Sequence, residues 1–249
     1  VHMRKFCGSF ILVCGLAFMP LPAEEPESIR YLTEDYPPSN YVEDGKLKGI
    51  AVEILKLMWA EMGVQEQRIQ VLPWARGYAM IQKEGDCMLF AMTRSAEREN
   101  LFKWVGPIYR GYYALLSNAA NPIRIDSLEE AKKYRIGVMR ADFSELDLLA
   151  RGFPDKNLHR ADSVQQLAQM LSHGRVDLLY LYSETIKAFA PLLNANQRNF
   201  QESFVVSENR MYYALSKSTD DALVDRFQKA LDAIDKERRE IVTRYNCTP

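Results

Sequence analysis

From Ile29 onward, short apolar runs alternate with stretches whose apolar residues recur at helical spacing, and a chain patterned this way has few folds open to it. Short buried strands separated by amphipathic helices predict an α/β fold, a mainly parallel sheet covered by helices. Ile29 to Thr33 reads as the first strand and Tyr36-Pro37-Pro38-Ser39-Asn40 as a loop fixed by its two prolines. Glu43 to Lys46 reads as a turn. Ile50, Ile54, Leu57, Met58 and Met62 then share one helix face, which ends at Gly63. Ile69 to Leu72 and the continuously apolar Cys87 to Met92 are further strands, the second buried on both faces. Between them a helix from Trp74 to Glu84 starts after Pro73. A short helix is expected from Ala96, with Arg98 in its first turn.

The second half repeats the style. Ser127-Leu128-Glu129-Glu130 and Ser163-Val164-Gln165-Gln166 are capping boxes that open helices, the second helix ending at His173-Gly174. Arg135 to Met139 and Val176 to Leu181 read as strands. Gly111 to Leu116 and Met211 to Leu215 are similar extended segments, read as paired crossovers between two lobes. A last helix, Asp220 to about Arg244, returns to the first lobe. The expected division is residues 27–115 with 213–249 as lobe 1 and residues 116–212 as lobe 2.

Ahead of this pattern, Arg4 and Lys5 precede an apolar run from Phe6 to Leu21 that ends at Ala23 before two acids, the layout of a cleaved secretory signal over residues 1–23. Gly8, Gly15 and Pro20 interrupt the run, which falls short of the ~18 apolar residues of a membrane anchor. The mature chain is therefore expected to be soluble in the periplasm. With 32 basic and 33 acidic residues, the net charge of −1 falls to about −3 once the signal is removed, which favours neither nucleic acid nor an anionic membrane. Cys87 and Cys247 stay in an oxidising compartment, where they either form a disulfide or stand as two buried thiols. His159 and His173 lie far apart, with no Cys or His nearby, so no metal site is expected, and no cofactor.

A set of short motifs, in order, carries a resemblance: Gly45 to Leu55, Gly85-Asp86, Thr93 to Arg98, Trp104 to Tyr109, Arg135 to Met139, Gly174 to Asp177, and Asp235 to Tyr245. Together they resemble the family 3 extracellular solute-binding proteins, which include the polar amino-acid receptors of ABC importers. The resemblance implies a type II periplasmic-binding fold with two hinge strands, a small ligand in the cleft, and a membrane permease or membrane sensor as partner to a monomer.

It also implies the site. Arg98 stands where the family grips a ligand carboxylate, a task suited to a guanidinium fork; its bland alternative is a surface pair with Glu97 or Glu99. Thr93 matches a hydroxyl on the same carboxylate, whereas Ala91 stands where many members carry a second one. Tyr36 and Trp74 match cleft walls, or are plain core. Arg76 either adds a cation to the pocket or is solvated. Glu34 and Asp35 either face the cleft or cap the turn and are read as caps, and Asp142 as an acceptor for a ligand amine or a helix cap. Tyr182 departs from the pattern, because amino-acid receptors commonly place an acid there for the ligand ammonium; Asp142 or Glu184 would have to compensate, or the ligand lacks the amine. The chain shows no nucleophile motif, Cys-His pairing signal or phosphate loop, so binding is expected and catalysis is not. A dehydratase-like enzyme on the same fold and a sensory domain are the alternatives.

Overall fold

The computed structural model describes residues 25–189 and 200–249, which leaves the expected signal segment outside the described residues. Ten strands and eight α-helices are present among them. In chain order the strands are β1 (Arg30–Thr33), β2 (Tyr41–Glu43), β3 (Lys46–Lys48), β4 (Ile69–Val71), β5 (Cys87–Thr93), β6 (Phe102–Asn118), β7 (Ile136–Met139), β8 (Leu158–Ala161), β9 (Leu178–Tyr182) and β10 (Phe200–Ser216). The helices are α1 (Ile50–Glu61), α2 (Trp74–Lys83), α3 (Leu128–Ala131), α4 (Phe143–Ala150), α5 (Val164–Ser172), α6 (Ser183–Phe189), α7 (Asp221–Ala233) and α8 (Asp235–Arg244).

Eight strands form one sheet in the order β4-β1-β5-β10-β6-β9-β7-β8. Its left half is a parallel trio, β1 between β4 and β5, and its right half a parallel trio, β7 between β8 and β9. The two halves are joined only through β6 and β10, which pair antiparallel from Phe102↔Ser216 to Asn118↔Phe200. β10 meets β5 through Met211 to Leu215, and β6 meets β9 through Tyr113 to Leu116. The two segments read from sequence as paired crossovers are thus parts of these strands, but each faces a different partner: Gly111 lies opposite Asn209, and Met211 opposite Tyr109. This is the type II periplasmic-binding architecture, two α/β lobes on two shared strands.

The first half shows how local sequence builds the site's edge. α1 starts at Gly49, whose φ of +121° has no side chain to strain. A Cβ there would stand 2.5 Å from the Ser39 carbonyl oxygen. That close approach lets the Pro38 and Ser39 carbonyls accept from the N–H groups of Ile50 (3.0 Å) and Ala51 (2.9 Å), satisfying the open helix start. The Pro37-Pro38 loop and α1 are therefore one unit. β5, covered on both faces, is apolar from Cys87 to Met92, and each large side chain it buries contributes ~1.5–3 kcal/mol.

Several expectations change. Residues 96–101 form turns and not a helix; the Arg98 N–H bonds to Ser95 O at 3.1 Å, so Arg98 does not sit at a helix start. The terminal helix is two, α7 and α8, with a kink at Ile234. One apolar stripe, Leu223, Phe227, Leu231, Ile234, Ile241, runs through both, which is why spacing alone read it as continuous. Ser127 caps α3 as expected, accepting from Glu130 N, but Glu130 reaches back to Asp126 N and the helix stops after one turn. β2, β3 and the half-buried β8 were not read as strands from the sequence.

Cys87 and Cys247 are buried thiols with no disulfide between them. The expected disulfide fails on distance. Cys87 N donates to Ser216 Oγ at one end of β10, while Cys247 adjoins Thr248, which bridges Arg110 opposite Arg210. Arg210 and Ser216 are six residues apart on one strand, roughly 20 Å, whereas bridged Cα atoms sit within about 7 Å. The reading of two separate buried thiols holds.

Candidate functional site

The carboxyl ends of the parallel strands converge where ligands sit in open α/β sheets. Glu34 follows β1, Thr93 ends β5, Ala141 and Asp142 follow β7, and Ser183-Glu184-Thr185 follows β9. Tyr36 comes from the proline loop, Trp74 from the start of α2, Arg98 from the turn after β5, and Tyr113 from β6. The loop is pinned by Asn40, whose Nδ2 donates to Glu34 O (2.8 Å) and whose Oδ1 accepts from Ala91 N (3.2 Å).

Arg98 is the centre of this cluster and only 1% exposed. Its guanidinium lies over the rings of Trp74 (5.6 Å) and Tyr78 (5.0 Å). Among the described residues it donates two long bonds, to Thr93 O and Ala141 O, both 3.4 Å, and its Nε has no partner. The surface pairing that would make it ordinary is taken by a neighbour, because Arg94 binds Glu99 with two bonds of 2.7 and 2.6 Å. The Tyr36 and Thr185 hydroxyls are likewise buried; they stand within reach of each other but make no well-formed hydrogen bond among the described residues. Orphaned polar atoms are rare in native interiors and costly, ~1–3 kcal/mol each. Three poorly satisfied atoms in one cluster call for a common reason.

Two carboxyls face the same space. Glu34 is 9% and Asp142 8% exposed. Burial pushes both above their ordinary range; for Glu34 the nearby Asp142 adds to the rise, and Arg98 opposes it for both. Asp142 also caps α4, accepting weakly from Ser144 N (3.5 Å) and Oγ (3.3 Å), which is one of the two roles weighed for it. Asp35 caps as expected, accepting from Val42 N, but the Glu34 side chain is in the cluster and not at the turn. Thr93 Oγ1 meets Tyr113 Oη at 3.3 Å. Across the cleft the Trp74 indole N–H donates to Ala141 O at 2.9 Å, joining α2 to the loop after β7, so the two lobes touch.

Of the residues singled out from sequence, Arg98, Thr93, Tyr36, Trp74 and Asp142 come together, and Tyr182 borders them. Arg76 is exposed on α2 and takes no part. Tyr182 is fully buried, its ring 6.0 Å from Tyr109 and 5.2 Å from Tyr113, with its hydroxyl against the β6 backbone. A Cβ on Gly111 would stand 2.5 Å from that hydroxyl. Gly111→Ala is therefore expected to cost about 1–2 kcal/mol in urea unfolding, with part of the loss recovered when Tyr182→Phe is added. An unchanged midpoint would show that the contact yields freely. Sequence reasoning missed Tyr113 and Thr185 as members of the cluster and ranked the cleft-facing reading of Glu34 behind capping; the one available signal for Thr185 was a polar triplet, Ser183-Glu184-Thr185, directly after a strand buried along its whole length.

Residues 29–246 match the model of the bacterial extracellular solute-binding proteins, family 3. No curated protein matches the chain in sequence. Among solved structures it is similar to a histidine kinase sensor domain with similarity to periplasmic binding proteins (18% identity, TM-score 0.79, covering 90% of this chain and 99% of that one). It is also similar to the arginine-, lysine-, histidine-binding protein ArtJ from the thermophilic bacterium Geobacillus stearothermophilus (16%, TM-score 0.76, 89% and 96%). A third is a mutant of ArgBP from T. maritima (17%, TM-score 0.76, 88% and 95%). At these identities the likeness is one of fold.

Proposed function

Because the chain belongs to the bacterial extracellular solute-binding proteins, family 3, we propose that it is a periplasmic receptor that closes its two lobes, 27–115 with 213–249 and 116–212, around a small amino acid. The receptor then delivers that ligand to the permease of an ABC importer. The observation that carries the reading is the buried Arg98, its Nε unpartnered among the described residues, beside the poorly satisfied Tyr36 and Thr185 hydroxyls at the carboxyl ends of the strands. A carboxylate placed against Arg98 satisfies the guanidinium with charge-assisted bonds, and the hydroxyls serve as further donors. Glu34 and Asp142 supply the negative charge that Tyr182 lacks, so the ligand carries its ammonium. An amino acid of net positive charge would favour the ionised form of both acids, which burial opposes, and so balance the cleft.

Calorimetry against arginine, lysine, glutamine and glutamate, and against the des-amino analogue of the best of them, tests this. Binding is expected to favour the cationic amino acids and to need the amine; tight binding of glutamate, or indifference to the amine, would overturn the charge argument. The bound compound should be released chemically unchanged, and an altered product would favour the dehydratase-like reading. A sensing role is the second reading, favoured by the likeness to a histidine kinase sensor domain; capture of a permease or of a kinase by the ligand-loaded protein separates the two.

Closure itself rests on Trp74. Trp74→Phe keeps most of the ring but removes the N–H that reaches Ala141 O, and should weaken ligand binding about two- to tenfold, the worth of one neutral hydrogen bond. Scattering should show a smaller loss of radius at equal ligand concentration; identical affinity and closure would rule out the latch.

A further inference from the structure

β6 and β10 cross from one lobe to the other where Arg110 and Arg210 stand directly opposite each other. Side chains alternate faces along a strand. Tyr109 and Tyr113 are buried on the side of the polar cluster, so the exposed Arg110 and Arg210 lie on the reverse side. Directly opposed residues have Cβ atoms about 4.5–5.5 Å apart, and like charges in that position repel. Neither guanidinium has an ion-pair or hydrogen-bond partner among the described residues.

The two arginines line a cavity of about 620 Å³ whose walls include Arg94, Tyr112, Glu208, Tyr212 and Thr248. Part of that wall is fixed. The Tyr212 ring lies where a Cβ on Gly106 would come within 2.5 Å of it, and Arg94, itself held by Glu99, stacks over the ring at 5.4 Å. The cavity is larger than a single small ion needs, and falls within the range of small-molecule sites.

We propose that this cavity, on the reverse of the hinge strands, is a second ligand site that takes a small multivalent oxyanion between Arg110 and Arg210. Two guanidinium forks at this spacing match two anionic groups of one molecule, and the ligand replaces a repulsion with two charge-assisted contacts. A monovalent ion neutralises only one of them.

Calorimetric titration with pyrophosphate and with citrate, at ionic strength held constant with sodium chloride, should show one saturable site per chain, with orthophosphate weaker. Arg110→Gln and Arg210→Gln should each raise Kd at least tenfold, and the double substitution should abolish binding, whereas Arg98→Gln should leave it unchanged. The absence of saturable binding of either probe, survival of binding in the double variant, or its loss in Arg98→Gln would each overturn the site. Should a variant fold poorly, the unaltered chain serves: pyrophosphate should protect Arg110 and Arg210 from phenylglyoxal, read by mass spectrometry. Equal modification with and without the probe would refute the contact.

Discussion

Arg98→Met is expected to weaken binding of the amino-acid ligand by about ten- to a hundredfold or more, while the chain still folds. The replacement keeps the length of the stem that packs beneath Trp74 and Tyr78 but removes the fork. A charged hydrogen bond inside a closed cleft is worth ~1.5–3 kcal/mol, which converts to that range of affinity. Arg98→Lys separates charge from geometry. An ammonium restores the charge without the bidentate grip, so it should recover only part of the loss. Calorimetry with the ligand found for the unaltered protein reads both variants, and thermal unfolding checks that each is folded. Unchanged affinity in Arg98→Met would remove the guanidinium from the site.

Glu34→Gln and Asp142→Asn should each lower affinity for an ammonium-bearing ligand by about ten- to a hundredfold, by the same reasoning. Their second expected effect is on pH dependence. Burial raises both carboxyl groups above their ordinary values of 4.5 and 3.8, so the folded chain holds protons that the unfolded chain releases. Stability from this source is fully present below those ordinary values and is lost as pH rises through the raised ones. The ligand-free protein should therefore lose stability from about pH 4 upward. The amide variants, which carry no charge to desolvate, should flatten that slope and exceed the unaltered chain by about 1–3 kcal/mol above neutrality. Asparagine caps a helix as well as aspartate, so α4 is not put at risk by Asp142→Asn. Thermal unfolding from pH 4 to pH 8 makes the comparison. If the variants follow the same slope as the unaltered chain, the two acids do not share a desolvated site.

How far the site was legible varies by residue. Arg98, Thr93 and Trp74 were found because short motifs mark the ends of β5 and β4, and these ends face the cleft in any sheet of this kind. The helix expected around Arg98 was wrong, since the eight residues between β5 and β6 are taken up by turns. Glu34 looked like a turn cap beside Asp35, and only the fold of the proline loop, held by Asn40, turns one acid inward and the other outward. Arg76 has the right type and a suggestive place in the first turn of α2, but its helical phase points to solvent.

What the sequence alone determined is everything set by periodicity and by local backbone chemistry. Alternating apolar runs and helical stripes dictated the α/β class; prolines, capping residues and Gly49 placed the starts of helices and the shape of loops. These follow because a residue's preference for strand, helix or turn, and the face it presents, depend on neighbours a few positions away. Tertiary structure decided whatever depends on residues far apart in the chain. It brought Glu34, Asp142, Thr185 and Arg98 into one desolvated space, kept Cys87 from Cys247, and set Arg110 opposite Arg210. Such meetings are fixed by strand order, register and the packing of two lobes, and neither composition nor spacing carries them.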